Sequence, residues 1–474
     1  MRQKPRQKTV CAMIMTMKQN NLTEGSIKKA LRQIAIPASI GFLFNTLFNV
    51  VDTYFAGQLS VSALAGLTIS FPIFLITIAL ASGVGTGSTA LAAIALGKKD
   101  QLGYHQIAKN ALLVSMLIAV VLLVVSPFAI PWLLQVSGGT GEVLNEGLAY
   151  MNVVIIGAVF QILNFTFNGL LSAQGNTKPF RNFLIIGFFL NLILDPMFIF
   201  GWFGLPRMGT AGVALATVLV QVIGTIYLGI SFFKSQGYNR TLFIKSRLSL
   251  NSVRQLLKQG IPVSLNNATV SIGIFIIQYF IYQFGTNETI AGYGVAVRIE
   301  QIALLPTIGL NIATVALVGQ NFGAQQWQRI LQSIKQAAKY ALILLTIGLV
   351  IIYPFAPQLV GIFNQDPQVI QEGARYLRIE GLAIYSYSMI GIASSVLQAI
   401  KKPYYALMIG VLRQFTPIFV FYALGQLLNL GVTGVWWGIV LVNYTATILV
   451  WLIVYRLLNK LHPLTMNVWR IKVS

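Results

Sequence analysis

Residues 36–57 read IPASIGFLFNTLFNVVDTYFAG, a run in which Asp52 is the only charged side chain. About 20 apolar residues in a helix are enough to cross the hydrocarbon core of a membrane. A charged side chain at that depth costs roughly 2.5–3.5 kcal/mol on insertion and usually marks an ion path. The stretch therefore predicts a membrane-spanning helix and a first candidate functional residue.

Runs of this kind recur along the whole chain. The protein has 474 residues, of which 56% are hydrophobic and 9% are charged, whereas soluble domains carry roughly 25% charged residues. We therefore predict an all-α integral membrane protein with twelve transmembrane helices. The predicted spans, numbered one to twelve, cover residues 33–57, 63–96, 107–135, 144–173, 180–202, 209–233, 260–284, 290–320, 338–363, 376–400, 404–428 and 433–458.

The loops predict the orientation of these spans. Basic residues gather in both tails and in the loops after even-numbered spans, whereas odd-numbered loops hold acids such as Glu142 and Glu288. Loops rich in Lys and Arg stay in the cytoplasm, so both termini are expected there, with the chain in the inner or plasma membrane. The net charge of +22 follows from this distribution and does not indicate a nucleic-acid partner.

The two halves of the chain resemble each other. LRQIAIPASI (31–40) aligns with LLKQGIPVSL (256–265), and TKPF (177–180) aligns with KKPY (401–404). Because each repeat holds six spans, both insert the same way up, and we expect two bundles related by an axis along the membrane normal, with a cleft between them. The predicted division is a cytoplasmic tail (1–30), an N-lobe (31–235), a cytoplasmic linker (236–258), a C-lobe (259–460) and a second cytoplasmic tail (461–474).

Two acids inside spans have no basic neighbour in the sequence. In span one, Asn45, Asn49 and Asp52 lie on one helix face, and in span five Asn191 and Asp195 are one turn apart. Amide and carboxylate oxygens are the ligands that a small cation or a relayed proton requires. For amides alone, hydrogen bonding between helices would be a sufficient explanation, but for two unpaired acids we predict a function.

Further polar residues extend this pattern. Gln161, Asn164 and Asn168 form a stripe in span four. In the second repeat, Gln278 stands opposite Asp52 and Thr416 stands opposite Asp195, so ion coupling is expected in the N-lobe.

Other charged residues in spans have a structural interpretation. Arg298 and Glu300 lie close together in span eight, and we predict a local ion-pair network that holds this helix. Glu380 follows Arg378 near the end of another span and is interpreted in the same way.

The chain resembles the multidrug and toxic compound extrusion (MATE) family, and within it the prokaryotic DinF-like branch. The resemblance rests on residues 36–57, on NLILDPMFIFG (191–201) and on RIEQIALLPTIGLNIATVALVGQNFGA (298–324). It implies a V-shaped, two-lobed antiporter that exports cationic or amphiphilic drugs and toxic compounds in exchange for H⁺ or Na⁺. No enzymatic activity, cofactor or resident metal is implied, and we expect a monomer.

The resemblance also implies roles for particular residues. Asp52, Asn191, Asp195 and Thr217 match the positions that bind the coupling ion, H⁺ or Na⁺. The polar pocket is expected to contain Asn45, Asn49, Asn164 and Asn168. The acids that the NorM-like branch carries in spans seven and ten are missing here, which argues against ion coupling in the C-lobe.

The sequence leaves three alternatives open. A flippase for lipid-linked oligosaccharides, from the same superfamily, would require a basic central cavity, and Arg298 is the main basic residue that we identify within a span. A membrane-embedded enzyme would require a nucleophile and a base at membrane depth, but no histidine falls in a predicted span. An ion channel would not require the repeat or the paired acids.

Overall fold

The computed structural model describes residues 21–462, which form fourteen α-helices. In chain order these are α1 Ile27–Leu59, α2 Val61–Gly97, α3 Gln101–Val136, α4 Gly141–Ala173, α5 Lys178–Phe200, α6 Thr210–Phe233, α7 Arg240–Lys245, α8 Leu250–Phe284, α9 Asn287–Gly323, α10 Trp327–Gly361, α11 Pro367–Glu380, α12 Ile384–Ala399, α13 Pro403–Phe421 and α14 Gly431–Leu461. A 3₁₀ turn at Trp202–Gly204 and a π-helical turn at Tyr422–Leu427 join them. The predicted tails lie largely outside the described residues, which exclude Cys11.

The prediction of an all-α protein with twelve spans is confirmed, with one span of unexpected shape. Eleven of the described helices are long and apolar enough to cross a membrane, and α11 with α12 makes a twelfth that is bent by 49°. At the bend, the N–H groups of Leu382 and Ala383 donate to carbonyls three residues back, at Ile379 and Glu380. Such bonds tighten the backbone locally and interrupt the α-helical ladder.

The segment predicted as the linker, residues 236–258, contains a short helix and the start of a long one. Helix α8 begins at Leu250 and continues through Pro262 into span seven as one helix. Residues 250–258 therefore extend a spanning helix. The short helix α7 precedes it, and the side chain of Asn239 caps α7 by accepting a hydrogen bond from the N–H of Leu242.

Each repeat folds around its own core. In the N-lobe, helices α2 to α6 contribute buried residues to a cluster that includes Phe167, Phe180 and Phe183. In the C-lobe, the fully buried Trp436 stacks on Tyr293 at 5.7 Å between ring centroids and meets Tyr376 edge-on. These two clusters each lie within one repeat, whereas a further buried cluster joins α1 of the N-lobe to α9, α10 and α12 of the C-lobe.

The lobes meet through glycines, which allow their helices to approach backbone to backbone. Gly83 of α2 faces Gly260 of α8, and Gly309 of α9 packs against the α1 backbone at Ala35. Further along α9, Gly323 packs against the α2 backbone at Ile94. These approaches all lie toward the ends of α2 and α9 that carry Gly97 and Gly323, so the lobes form a V joined at that end.

Candidate ion and substrate site

Three helices of the N-lobe bring four of the predicted residues together. Asp52 comes from α1, Asn191 and Asp195 from α5, and Thr217 from α6, and all four are buried. The Asn191 amide donates to Asp195 Oδ1 at 2.9 Å, as their one-turn spacing allows, and the Thr217 hydroxyl lies 3.4 Å from Asp52 Oδ2. The two carboxyl groups are within hydrogen-bonding reach of each other.

This cluster has more acceptors than donors. Asp52 Oδ1, Asn191 Oδ1 and Asp195 Oδ2 are buried and accept no hydrogen bond from any described residue. Two neighbouring carboxylates repel each other unless a proton or a cation lies between them. The three atoms free to bind an ion are all oxygens, which suit H⁺ or a hard cation such as Na⁺.

No basic side chain among the described residues neutralises the pair. Within residues 21–462 the ion-pair criterion of 4.0 Å is met once, by Arg375 and Glu372 at 3.7 Å. The same part of the chain contains no group of three or more His, Cys, Asp or Glu side chains placed to hold a metal. The acids are therefore not held by a fixed counter-charge.

One acid of the pair faces a cavity of about 100 Å³ inside the N-lobe. Asp52 and Thr217 line this N-lobe cavity together with the amides of Asn45, Asn49 and Asn164. Asn191 and Asp195 are not among its lining residues and lie behind Asp52, completely buried. An ion in this cavity would meet Asp52 first.

The stripe of span four is divided between two cavities. Asn164 donates to Gln221 Oε1 at 2.7 Å and accepts from Thr225 at 2.9 Å, which fixes its amide beside the N-lobe cavity. Asn168 lines a different, central cavity of about 350 Å³ between the lobes. Gln221 is not among the residues predicted from the sequence, although it lies one turn from Thr217 on the same face of α6.

The central cavity connects the two lobes. It shares Phe42 and Phe165 with the N-lobe cavity, and it shares Tyr387 and Arg413 with a third cavity, of about 250 Å³, inside the C-lobe. A molecule in the central cavity would therefore contact both bundles, as alternating access requires.

The ion-pair network predicted at Arg298 and Glu300 does not form. Arg298 is exposed, whereas Glu300 points into the C-lobe cavity and accepts a hydrogen bond from the Tyr376 hydroxyl at 2.8 Å. Side chains two residues apart on a helix point to different sides, so the two groups cannot meet.

The structural ion pair predicted for Glu380 does not form among the described residues, and the sequence analysis gave no role to Arg413. Glu380 lies at the bend between α11 and α12, is 1% exposed, and accepts from the Tyr387 hydroxyl at 2.7 Å. Arg413 lies in the middle of α13, so Arg298 is not the main basic residue within a span. As a single charge in the apolar run MIGVLRQFTPIF, Arg413 was visible in the sequence.

Comparison with known proteins gives consistent similarities. The family model described as MatE matches residues 37–197 and 262–423. The chain is 26% identical over 417 residues to a probable multidrug resistance protein NorM of Thermotoga maritima, covering 87% of this chain and 89% of that protein. It is 26% identical over 416 residues to an FAD transporter of Shewanella oneidensis, covering 88% and 91%.

A similarity to solved structures agrees with these matches. An outward-facing multidrug resistance MATE transporter superposes with a TM-score of 0.87 at 26% identity, covering 94% of this chain and 99% of that one. The similarity therefore extends over both lobes.

Proposed function

The chain belongs to the MatE family of multi-pass membrane transporters, and from this premise we propose that it is a secondary antiporter that exports small amphiphilic molecules in exchange for H⁺ or Na⁺. The coupling ion would bind at Asp52, Asn191, Asp195 and Thr217. The substrate would occupy the central cavity, with Asn45, Asn49 and Asn164 lining the approach to Asp52 and Asn168 facing the substrate. The flippase alternative is less well supported, because a single basic residue lines that cavity among the described residues.

One observation carries this proposal. Two acids from different helices lie buried within hydrogen-bonding reach of each other. In the described part of the chain they have no basic partner, and three oxygens of the cluster accept no hydrogen bond. A purely structural contact would be less costly with neutral amides, because a buried charge is strongly disfavoured. The arrangement is therefore better suited to binding and releasing an ion than to holding helices together.

Ion capture would change how the three helices pack. When both acids are ionised, their repulsion and their loss of hydration favour separation of α1 from α5 or entry of water. A bound proton or cation removes that repulsion and lets the helices close around Asp52 and Asp195. Each positive charge that enters down a 100 mV potential supplies about 2.3 kcal/mol.

Helix α1 offers a route by which this change would reach the other lobe. Its second half carries Asp52, and its first half packs on α9 of the C-lobe, where the Ser39 hydroxyl donates to the Pro306 carbonyl at 3.3 Å. A rotation or bend of α1 caused by ion binding would thus alter the contact between the lobes. In our proposal this contact is the two-state element that both ion and substrate influence.

The charge distribution supports an orientation for this conformation. The end at which the lobes join carries the loops near Lys98, Lys178 and Arg329, which would face the cytoplasm. In the plasma membrane, with both termini cytoplasmic, this conformation would face outward. We propose that the protein works as a monomer, because each chain contains both lobes and the whole cavity.

The proposal is tested by uptake of a fluorescent amphiphile into everted membrane vesicles under a pH gradient or a Na⁺ gradient, imposed separately. We expect one of the gradients to drive uptake, and Asp52→Asn and Asp195→Asn each to abolish the gradient-driven part. Glu142→Gln, which neutralises an exposed acid, is the matched control and should behave like the wild type. Gradient-driven uptake at the wild-type rate in both Asp variants would overturn the proposal.

A further inference from the structure

The central cavity has an unusual charge for a site expected to accept cationic compounds. Among its described lining residues, Arg413 is the only charged side chain, and most of the others are amides, hydroxyls and apolar groups. Asp52 and Glu300 line the neighbouring cavities and not this one. A ligand in the central cavity would therefore meet one fixed positive charge and no negative one at its surface.

Arg413 is held so that its guanidinium remains partly available. Its guanidinium carbon lies 5.6 Å from the centroid of the Tyr387 ring, and its Nη1 donates a long hydrogen bond of 3.5 Å to Asn443 Oδ1. A guanidinium has five N–H donors, so this contact leaves most of them for other acceptors. The tyrosine ring orients the group by a cation–π contact without occupying the donors.

The nearby acids do not occupy the guanidinium either. Glu300 and Glu380 influence Arg413 electrostatically, but neither lies within the 4.0 Å that defines an ion pair among the described residues. Each accepts a hydrogen bond from a tyrosine instead, Glu300 from Tyr376 and Glu380 from Tyr387. The two acids therefore stabilise the positive charge of Arg413, but they do not block the side of its guanidinium that lines the central cavity.

We infer that Arg413 is a specificity-determining residue that binds an anionic group, a carboxylate or a phosphate, on an amphiphilic substrate. The planar guanidinium matches two oxygens of such a group. Asn168, Asn266 and Asn311 would bind neutral polar parts, and the rings of Phe42 and Phe165 would pack against the apolar part. The inference rests on the proposed export function and narrows its substrates to anionic amphiphiles, whereas a purely cationic compound would be repelled by Arg413.

Two xanthene dyes of similar size and opposite charge, carboxyfluorescein and rhodamine 123, test this inference. Binding of each dye is measured by fluorescence anisotropy on the full chain in nanodiscs, and transport is measured in proteoliposomes. We expect carboxyfluorescein to bind the wild type more tightly than rhodamine 123 does. Because a hydrogen bond to a charged group contributes about 1.5–3 kcal/mol, Arg413→Gln should weaken carboxyfluorescein binding by about 12-fold to 150-fold.

Two further variants separate charge from folding. Arg413→Lys keeps the charge but not the two-pronged geometry, and should show intermediate affinity for carboxyfluorescein. Arg298→Gln removes an exposed arginine from α9 and should leave both affinities unchanged. Arg413→Gln should bind rhodamine 123 at least as well as the wild type does, which also shows that the variant is folded.

The outcomes distinguish this inference from the export function. Gradient-driven export of rhodamine 123 together with no Arg413-dependent binding of carboxyfluorescein would overturn the inference and leave the export function standing. Arg413-dependent binding of carboxyfluorescein without transport of either dye would support the inference and count against the export function. Loss of affinity for both dyes in a folded Arg413→Gln protein would also overturn it, because the effect would not depend on ligand charge.

Discussion

Substitution of Gly83 by alanine tests whether the contact between Gly83 of α2 and Gly260 of α8 keeps the two lobes joined at this end. A Cβ atom at this position would overlap the Ser264 hydroxyl and lie 2.6 Å from the carbonyl oxygen of Gly260. The serine side chain can rotate away, but the carbonyl belongs to the backbone of α8. Since ordinary contacts begin at about 3.4 Å, α8 has to move away from α2 by about 0.8 Å.

The energetic cost applies to the conformation in which these helices touch. Overpacking of a tight contact costs about 1–3 kcal/mol, which shifts the ratio of the joined to the separated state by about 5-fold to 150-fold. Gly83→Ala should therefore populate a state in which the lobes are parted at this end. Gly348→Ala in α10 is the matched control, because no atom lies within 4 Å of its added Cβ.

The assay is a distance measurement by electron paramagnetic resonance. Spin labels are attached at Val61→Cys and Asn287→Cys, at the starts of α2 and α9, after replacement of Cys11, the single native cysteine. Val61 is 87% exposed, so a label there should not disturb packing. We expect Gly83→Ala to change the distance distribution and Gly348→Ala to leave it as in the wild type. Identical distributions in all three proteins would refute the reasoning.

Three more predictions concern hydrogen bonds and coupling. Thr217→Val removes the hydroxyl beside Asp52, and the apparent affinity for the coupling ion, taken from the ion dependence of uptake, should fall by about 2-fold to 12-fold; an unchanged affinity would contradict a role for this hydroxyl. Asp195→Asn should remove the contribution of one coupled ion, which at 100 mV lowers the steady-state accumulation of substrate by about 50-fold. An undiminished substrate gradient would show that the ion binds elsewhere. The Gln320 side chain accepts a hydrogen bond from the Leu22 N–H and donates one to the Ala173 carbonyl. Gln320→Leu should therefore lower the free energy of unfolding by about 2–6 kcal/mol, measured by thermal unfolding in detergent. The control Gln301→Leu should change it little.

Helix periodicity accounts for the part of the candidate site that was predictable. The one-turn spacing of Asn191 and Asp195 predicts that they share a face, and in the structure their side chains are hydrogen-bonded. The same rule places Asn45 and Asn49 beside Asp52. The contact of Asp52 with Thr217 spans 165 residues and was expected only through family resemblance, because periodicity identifies a face and not the helix that packs against it.

The C-lobe shows where reasoning from local sequence fails. Arg298 and Glu300 are neighbours in the sequence, but the partner of Glu300 is Tyr376, which is 76 residues away. The bend between α11 and α12 contains Gly381 but no proline. A single glycine inside an apolar run does not by itself predict a bend, so the sequence does not predict the position of Glu380 at the bend. In membranes, long-range packing decides which polar groups meet, because each must find a partner within the protein.

The central claim is that an ion captured by Asp52 and Asp195 changes the arrangement of the lobes. It is tested most directly by recording the distance between labels at positions 61 and 287 while pH or Na⁺ concentration is varied, in the wild type and in the double variant Asp52→Asn, Asp195→Asn. The account predicts that the wild-type distribution shifts with one of the two ions and that the double variant stays in a single distribution. An ion-dependent shift of the same size in the double variant would contradict it.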